Sequence, residues 1–186
     1  MNKFSTPLRY GAIGFMVMCI ISFLSYFFYR QLFGSFYMQI AIGLLFFGIS
    51  IFIPIWGGIS FRKESGGIIS FKDAFIAVFI IYAVSSLGSS CMQYLIPNVI
   101  DTEYPEQLLQ LIKTTTADSM EKFGAPDEQI EETMEGFTLE KFKPTLLETA
   151  KTFGFYMLFG IVLSLIIAAF IKRNSEVKPV REFPST

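Results

Sequence analysis

Four stretches of the chain, 10–29, 36–59, 74–96 and 153–171, each run for about twenty residues without a charged side chain, and no other feature constrains the fold as strongly. The hydrocarbon core of a bilayer is about 30 Å thick and a helix rises about 1.5 Å per residue, so about 20 apolar residues cross it. With their flanking turns, the runs predict membrane-spanning helices over 10–29, 36–59, 71–96 and 152–173. The predicted fold is all-α: a polytopic four-helix transmembrane bundle, with a segment over 97–151 between the third and fourth spans and a disordered tail over 174–186.

Composition agrees and removes much chemistry. Hydrophobic residues make up 52% of the 186 and charged ones 17%, where an ordinary soluble domain carries about a quarter. Mean hydropathy is +0.51. A disordered chain is poor in apolar residues, and 14 Gly with 8 Pro is near average usage, so disordered and collagen-like chains are excluded. With no histidine and two cysteines, one chain forms neither a His-based triad, nor a His-ligated metal site, nor a four-thiolate zinc site. No base and nucleophile pair inside the bilayer, so the sequence predicts a non-enzymatic protein with no catalytic residue, metal or cofactor. A pI of about 5.5 and basic residues dispersed along the membrane edges predict no nucleic-acid partner.

Orientation follows from Lys and Arg. Lys3, Arg9, Arg62, Lys63, Lys72, Lys172, Arg173, Lys178 and Arg181 fall on one side, and only Arg30 lies in the short connection on the other. Both termini are therefore expected in the cytoplasm. Segment 97–151 has twelve acidic and five basic residues and is expected outside. The first run is read as a retained anchor, because its core is too long for a signal peptide and no small-x-small cleavage pattern follows. Cys19 is placed mid-membrane and Cys91 nearer the outer face, which argues against a disulfide between them. Pro54, with Gly57 and Gly58, is expected to end or kink the second span. Trp56 beside them belongs to the aromatic belt of the interface.

The acidic segment carries its own punctuation. Pro105 suits a first helical turn, apolar residues recur at helical spacing to Phe123, and Gly124 stops the run. Pro126 opens a second helix over 127–135, which Gly136 closes, so the two form a helical hairpin. Leu139 and Phe142 add a turn, and Pro144 leads into the fourth span. Asp127, Glu128, Glu131, Glu132 and Glu135 are read as a favourable helix start and a solvated face rather than a cation site.

Two constellations are candidate sites. In the loop between the second and third spans, Ser70 and Asp73 have capping-box spacing, and Gly66 and Gly67 supply the turn before them. Arg62, Lys63, Gly66, Gly67 and Lys72 there are candidate contacts for a lipid headgroup or a partner. The third span is the polar one: Ser85, Ser86, Ser89, Ser90 and Gln93 form two adjacent strips in its second half. Gly160, Ser164 and Ala168 form a small-residue ridge on the fourth span. The strips and ridge are read as a helix contact or, alternatively, as a polar cavity for a small solute. No ionisable side chain lies within the core of any span, which argues against a proton relay.

The run R-K-x-x-x-G-G-x-I-S-F-x-x-A-F from Arg62, the run G-A-P-D-E-Q-I-E-E-T-M from Gly124 and the four spans together resemble a bacterial inner-membrane family of unknown function. That resemblance implies a four-helix protein of the inner membrane and no activity, cofactor or site. Three readings stand at this point. One is an accessory or scaffold subunit that engages a membrane lipid, another membrane protein or a second copy of itself. The second is a small transporter or channel component built on the Ser-rich face, and the third an accessory to an enzyme acting on lipid-linked intermediates.

Overall fold

A computed structural model describes residues 5–172, so Lys3, the tail expected over 174–186 and its basic residues lie outside the described residues. Helices α1 (Ser5–Phe27), α2 (Tyr29–Phe33), α3 (Phe36–Glu64), α4 (Phe71–Leu95), α5 (Tyr104–Lys122), α6 (Asp127–Glu135), α7 (Leu139–Phe142) and α8 (Leu146–Ile171) follow in order. The described chain is all-helical. Helices α1, α3, α4 and α8 are long and apolar enough to cross a membrane. Their outward faces are those of lipid-facing helices: Phe170 is 82% exposed and Tyr37 75%.

Charge bounds a span but does not end a helix, and the start of the first span and the end of the second show it. Helix α1 begins at Ser5, with Pro7 in its first turn, where a missing N–H costs nothing. Helix α3 continues past Arg62 and Lys63 to Glu64. The expectation that Pro54, Gly57 and Gly58 end the helix of the second span is corrected here: α3 runs on through all three. Pro54 is buried inside it, and the two glycines are contact points. A Cβ on Gly57 would stand 2.6 Å from Ile81 and 2.9 Å from Tyr10, and one on Gly58 2.7 Å from Ile171.

Helix α4 is the hub, packed against α1, α3 and α8. Ala74, Ala77, Val78 and Ile81 on it are fully buried. Apolar side chains gain little by leaving hydrocarbon for each other, so such a contact rests on close approach of small residues. Gly88 shows how close: a Cβ there would lie 2.5 Å from the Phe15 carbonyl oxygen of α1. Helices α1 and α4 run parallel, with Gly11 beside Val84, Gly14 beside Ser85 and Phe15 beside Gly88. This register corrects the placement of the cysteines at different depths. The Cys19 thiol donates to the Gly88 carbonyl, 3.6 Å away, one turn from Cys91, so the two are nearly level, and both thiols are free.

One end of the bundle carries the α3–α4 loop with Arg62, Lys63 and Lys72 and is called the basic end below. A core of Phe61, Ile69, Ala74, Ala77, Val78, Ile167, Ala168 and Ile171 fills it. The other, acidic end is covered by α5 to α7. There Pro97 removes the N–H that would continue the ladder, and α4 finishes in a π turn over Ile96–Ile100 in which the Asp101 amide reaches back to the Ile96 carbonyl. The Asn98 side-chain carboxamide donates to the carbonyls of Tyr94 and Pro144, at 3.0 and 3.1 Å, tying this turn to the entry of α8.

Candidate functional site

The basic loop is built for structure. Gly66 and Gly67 have φ of +82° and +85°, a left-handed conformation that costs other residues about 1–2 kcal/mol each. The Ser70 hydroxyl then accepts the Asp73 amide at 3.1 Å and starts α4. Arg62 donates to the Ile171 carbonyl at 3.3 Å, satisfying the open end of α8. Thr6 donates to the Glu64 carboxylate, joining the start of α1 to the end of α3. Lys63 and Lys72 are exposed. The five loop residues singled out in the sequence thus stand at one end of the bundle, where Arg62 closes a helix end and the glycines make a turn.

The polar strips of α4 separate. Ser85 is buried against Gly14 of α1, and its hydroxyl turns back to the Ile81 carbonyl at 2.7 Å. Ser86 and Ser89 likewise donate to the Ala83 and Ser86 carbonyls. Ser90 and Ser164 are buried, and their hydroxyls have no partner among the described residues. Gly160 meets the ring of Tyr82 rather than a serine: a Cβ there would stand 2.3 Å from the ring. Tyr82 is therefore the α4 residue that keys into the ridge of α8.

Ser89 and Gln93 remain, and they line a cavity of about 630 Å3 among α1, α3, α4 and α8 in the acidic half of the bundle. Its existence follows from α3. The buried residues of that helix, Ile53, Pro54, Gly57, Gly58 and Phe61, all lie in its second half. In the first half Tyr37, Leu44 and Phe47 are exposed, and nothing stands within 4 Å of a Cβ placed on Gly43 or Gly48. The helix leaves the bundle where its contact glycines stop.

The lining is mainly apolar. Met18, Phe46, Phe47, Met92 and Phe159 give the surface of a hydrocarbon binder, interrupted by the hydroxyls of Ser22 and Ser25 on α1, Ser50 on α3 and Ser89 on α4. The Gln93 carboxamide has no hydrogen-bond partner among the described residues. On the α3–α8 side the wall is the pair Phe47 and Phe159, ring centroids 6.3 Å apart, each about half exposed on its other face. At the acidic end the cavity is roofed by Tyr104 and Leu108 of α5, Lys141 and Phe142 of α7, and Pro144.

Hydrogen bonds and rings fasten this roof to the spans. Asp101 accepts the Glu103 and Tyr104 amides at 3.0 Å each and the Tyr26 hydroxyl at 3.1 Å. Tyr29 and Arg30 both donate to the Gln107 carboxamide oxygen, at 2.5 and 3.3 Å. The Tyr104 ring stands edge-on to Tyr26 and Tyr29, with centroids 5.1 and 5.2 Å away. Burial, with Tyr29, Tyr26 and Asp101 nearby, pushes the Tyr104 phenol up to about 12, so it is neutral wherever the protein operates.

The acidic face of α6 carries Asp127, Glu128, Glu131, Glu132 and Glu135 into solvent, and no group of side chains able to hold a metal ion occurs among the described residues. Sequence reasoning overlooked Ser22, Ser25, Ser50 and Lys141. The serines carried a signal of the kind read on the third span, a hydroxyl inside an apolar run, but singly or in a pair rather than as a strip. Lys141 carried none, since a lysine in a charged segment is unexceptional.

A sequence profile of the family described as "Protein of unknown function (DUF4199)" matches residues 9–173. No curated protein and no solved structure matches the chain.

Proposed function

The chain belongs to the DUF4199 family, whose description assigns no function, and from that premise we propose that it is a non-enzymatic membrane protein that binds a membrane lipid in the cavity of its acidic half. The observation that carries the reading is the cavity: about 630 Å3, lined mostly by hydrocarbon and thioether surface, with a few unpaired polar groups. Binding sites for small molecules have that size and that mixture. Its occupant must come from the phase around it, which for four apolar helices is lipid.

One observation favours binding over transport. The half beyond the cavity is packed through Gly57, Gly58 and the basic-end core, so the pocket is blind toward the basic end. In this reading the protein sits in the bacterial inner membrane with both termini in the cytoplasm and 97–151 outside, an orientation supported by the basic residues at the α3–α4 loop. The cavity then opens in the outer leaflet.

Native mass spectrometry of the protein extracted from membranes in mild detergent tests the reading. A lipid adduct is expected on the wild type and lost in Gly43→Trp, which fills the cavity from a position with free space. A wild type without an adduct, or an adduct that survives Gly43→Trp, contradicts it. For orientation, in a Cys19→Ala/Cys91→Ala background an impermeant thiol reagent applied to whole cells should label Glu132→Cys and spare Ser65→Cys. The reverse pattern would invert the topology.

A further inference from the structure

Resting on the lipid-binding reading above, we propose that the molecule held in the cavity carries an anionic headgroup, a phosphate or carboxylate, and that Lys141 receives it. Segment 97–151 has twelve acidic residues and five basic ones, yet the one charged side chain among the described residues lining the cavity is Lys141. An acid-rich roof that presents only a cation to its pocket has the charge pattern that selects an anion and repels a cationic amphiphile. Asp101, a carboxylate of the roof's fastening, is engaged by the Tyr26 hydroxyl and two backbone amides.

The geometry around Lys141 suits the role. It lies on the single-turn helix α7, beside Phe142, which also lines the cavity; Lys141 and Lys143 are both exposed, but Lys143 takes no part in the lining. The Lys141 ammonium donates to the Gly136 carbonyl, which engages one of its three N–H groups. The other two are free to meet a headgroup oxygen. Below it the Gln93 carboxamide offers a donor and an acceptor to ester or amide linkages, and Phe46, Phe47 and Phe159 line the course of the chain. The site therefore assigns headgroup, linkage and chain to successive levels, entered from the membrane past Phe47 and Phe159.

The test uses full-length protein in phosphatidylcholine vesicles with a trace of diazirine-bearing lysophosphatidic acid, or of its zwitterionic phosphocholine counterpart with the same chain, and maps crosslinked peptides by mass spectrometry. The anionic probe should label the cavity segments of α3 and α8 about ten-fold more than the zwitterionic one, the discrimination expected of one charge-assisted contact. Lys141→Gln should erase that preference, Lys141→Arg should keep it, and Lys143→Gln should leave it intact. Equal labelling by the two probes, an unaltered preference in Lys141→Gln, or the same loss in Lys143→Gln would overturn the assignment of charge to Lys141. Displacement of the label by inorganic phosphate alone would make the occupant a soluble anion and overturn the lipid. Absence of label from α3 and α8 with either probe, or its persistence in Gly43→Trp, would instead overturn the lipid-binding reading itself.

Discussion

The two halves of α3 are made of the same kinds of residue and behave in opposite ways. From Ile53 to Phe61 the helix is held against α1, α4 and α8, and its glycines are points of contact so close that no side chain fits. From Phe36 to Ser50 it also carries glycines and large apolar residues, yet Gly43 and Gly48 face open space and Tyr37, Leu44 and Phe47 are exposed. In a bilayer hydrophobicity does not decide which face of a helix is inside, because lipid satisfies an apolar face as well as a neighbouring helix does. Steric fit decides it. Where small residues oppose each other the bundle closes, and where they do not a cavity is left.

Adding single Cβ atoms should separate the two regimes. The largest loss is expected from Gly88→Ala, whose new carbon meets the Phe15 backbone 2.5 Å away and cannot be accommodated by a side-chain rotation. Overpacking of this kind costs about 1–3 kcal/mol or more, read as a lowered Tm in detergent. Gly57→Ala follows, softened because the end of the Ile81 side chain can move. Gly160→Ala pushes on the Tyr82 ring, and Tyr82→Leu should recover part of the loss; no recovery would show that the ridge of α8 is held by something other than this ring.

The entry to α8 gives a smaller effect. Thr145 accepts the Glu148 amide at 3.2 Å while the Glu148 carboxylate takes the Thr145 N–H at 2.7 Å, a reciprocal cap. Thr145→Ala should cost about 1 kcal/mol. On the open half of α3, Gly43→Ala should cost nothing and stabilise the helix by up to about 1 kcal/mol, through propensity alone. A clear loss there would mean that the acidic half of α3 is packed after all.

The roof adds a pH dependence. Tyr104 has an ordinary value of 10.0 raised to about 12 by burial among Tyr29, Tyr26 and Asp101, so folding favours the neutral phenol. Its stabilisation is complete below pH 10 and is lost as pH rises toward 12, when the unfolded chain ionises more readily than the folded one. Proteolysis of 97–151 should accelerate over that range, and Tyr104→Phe should flatten the response. An equal response in the variant would assign the effect to another group.

Much of this architecture was legible in the chain, and the reason differs by region. The spans announce themselves by uncharged length, and α5 and α6 by Pro105, Gly124, Pro126 and Gly136, whose backbone chemistry acts locally. What needed coordinates was everything that depends on a partner. Gly57 and Gly58 next to Pro54 carry the same local signal whether they end a helix or seat one, and only Ile81, Tyr10 and Ile171 across the contact distinguish the two. The parallel register of α1 and α4, which brings Cys19 nearly level with Cys91, leaves no periodic trace in helices that are apolar on every face. The serines of α4 read as two adjacent strips, but Ser85 packs against Gly14 of α1 while Ser89, one turn on, lines the cavity, a division set by the neighbouring helices. The Thr145–Glu148 cap, by contrast, stood in the sequence as T-L-L-E and was passed over.

The most direct test places one large side chain at each of the two kinds of glycine on α3. Gly57→Trp and Gly43→Trp, purified from membranes, are compared for monodispersity, Tm and bound lipid. Packing through Gly57 and a hollow at Gly43 predict that Gly57→Trp aggregates or unfolds at much lower temperature, while Gly43→Trp keeps the wild-type fold and loses its lipid. Two variants equally folded and equally loaded with lipid would contradict the division of this helix into a packed half and a binding half.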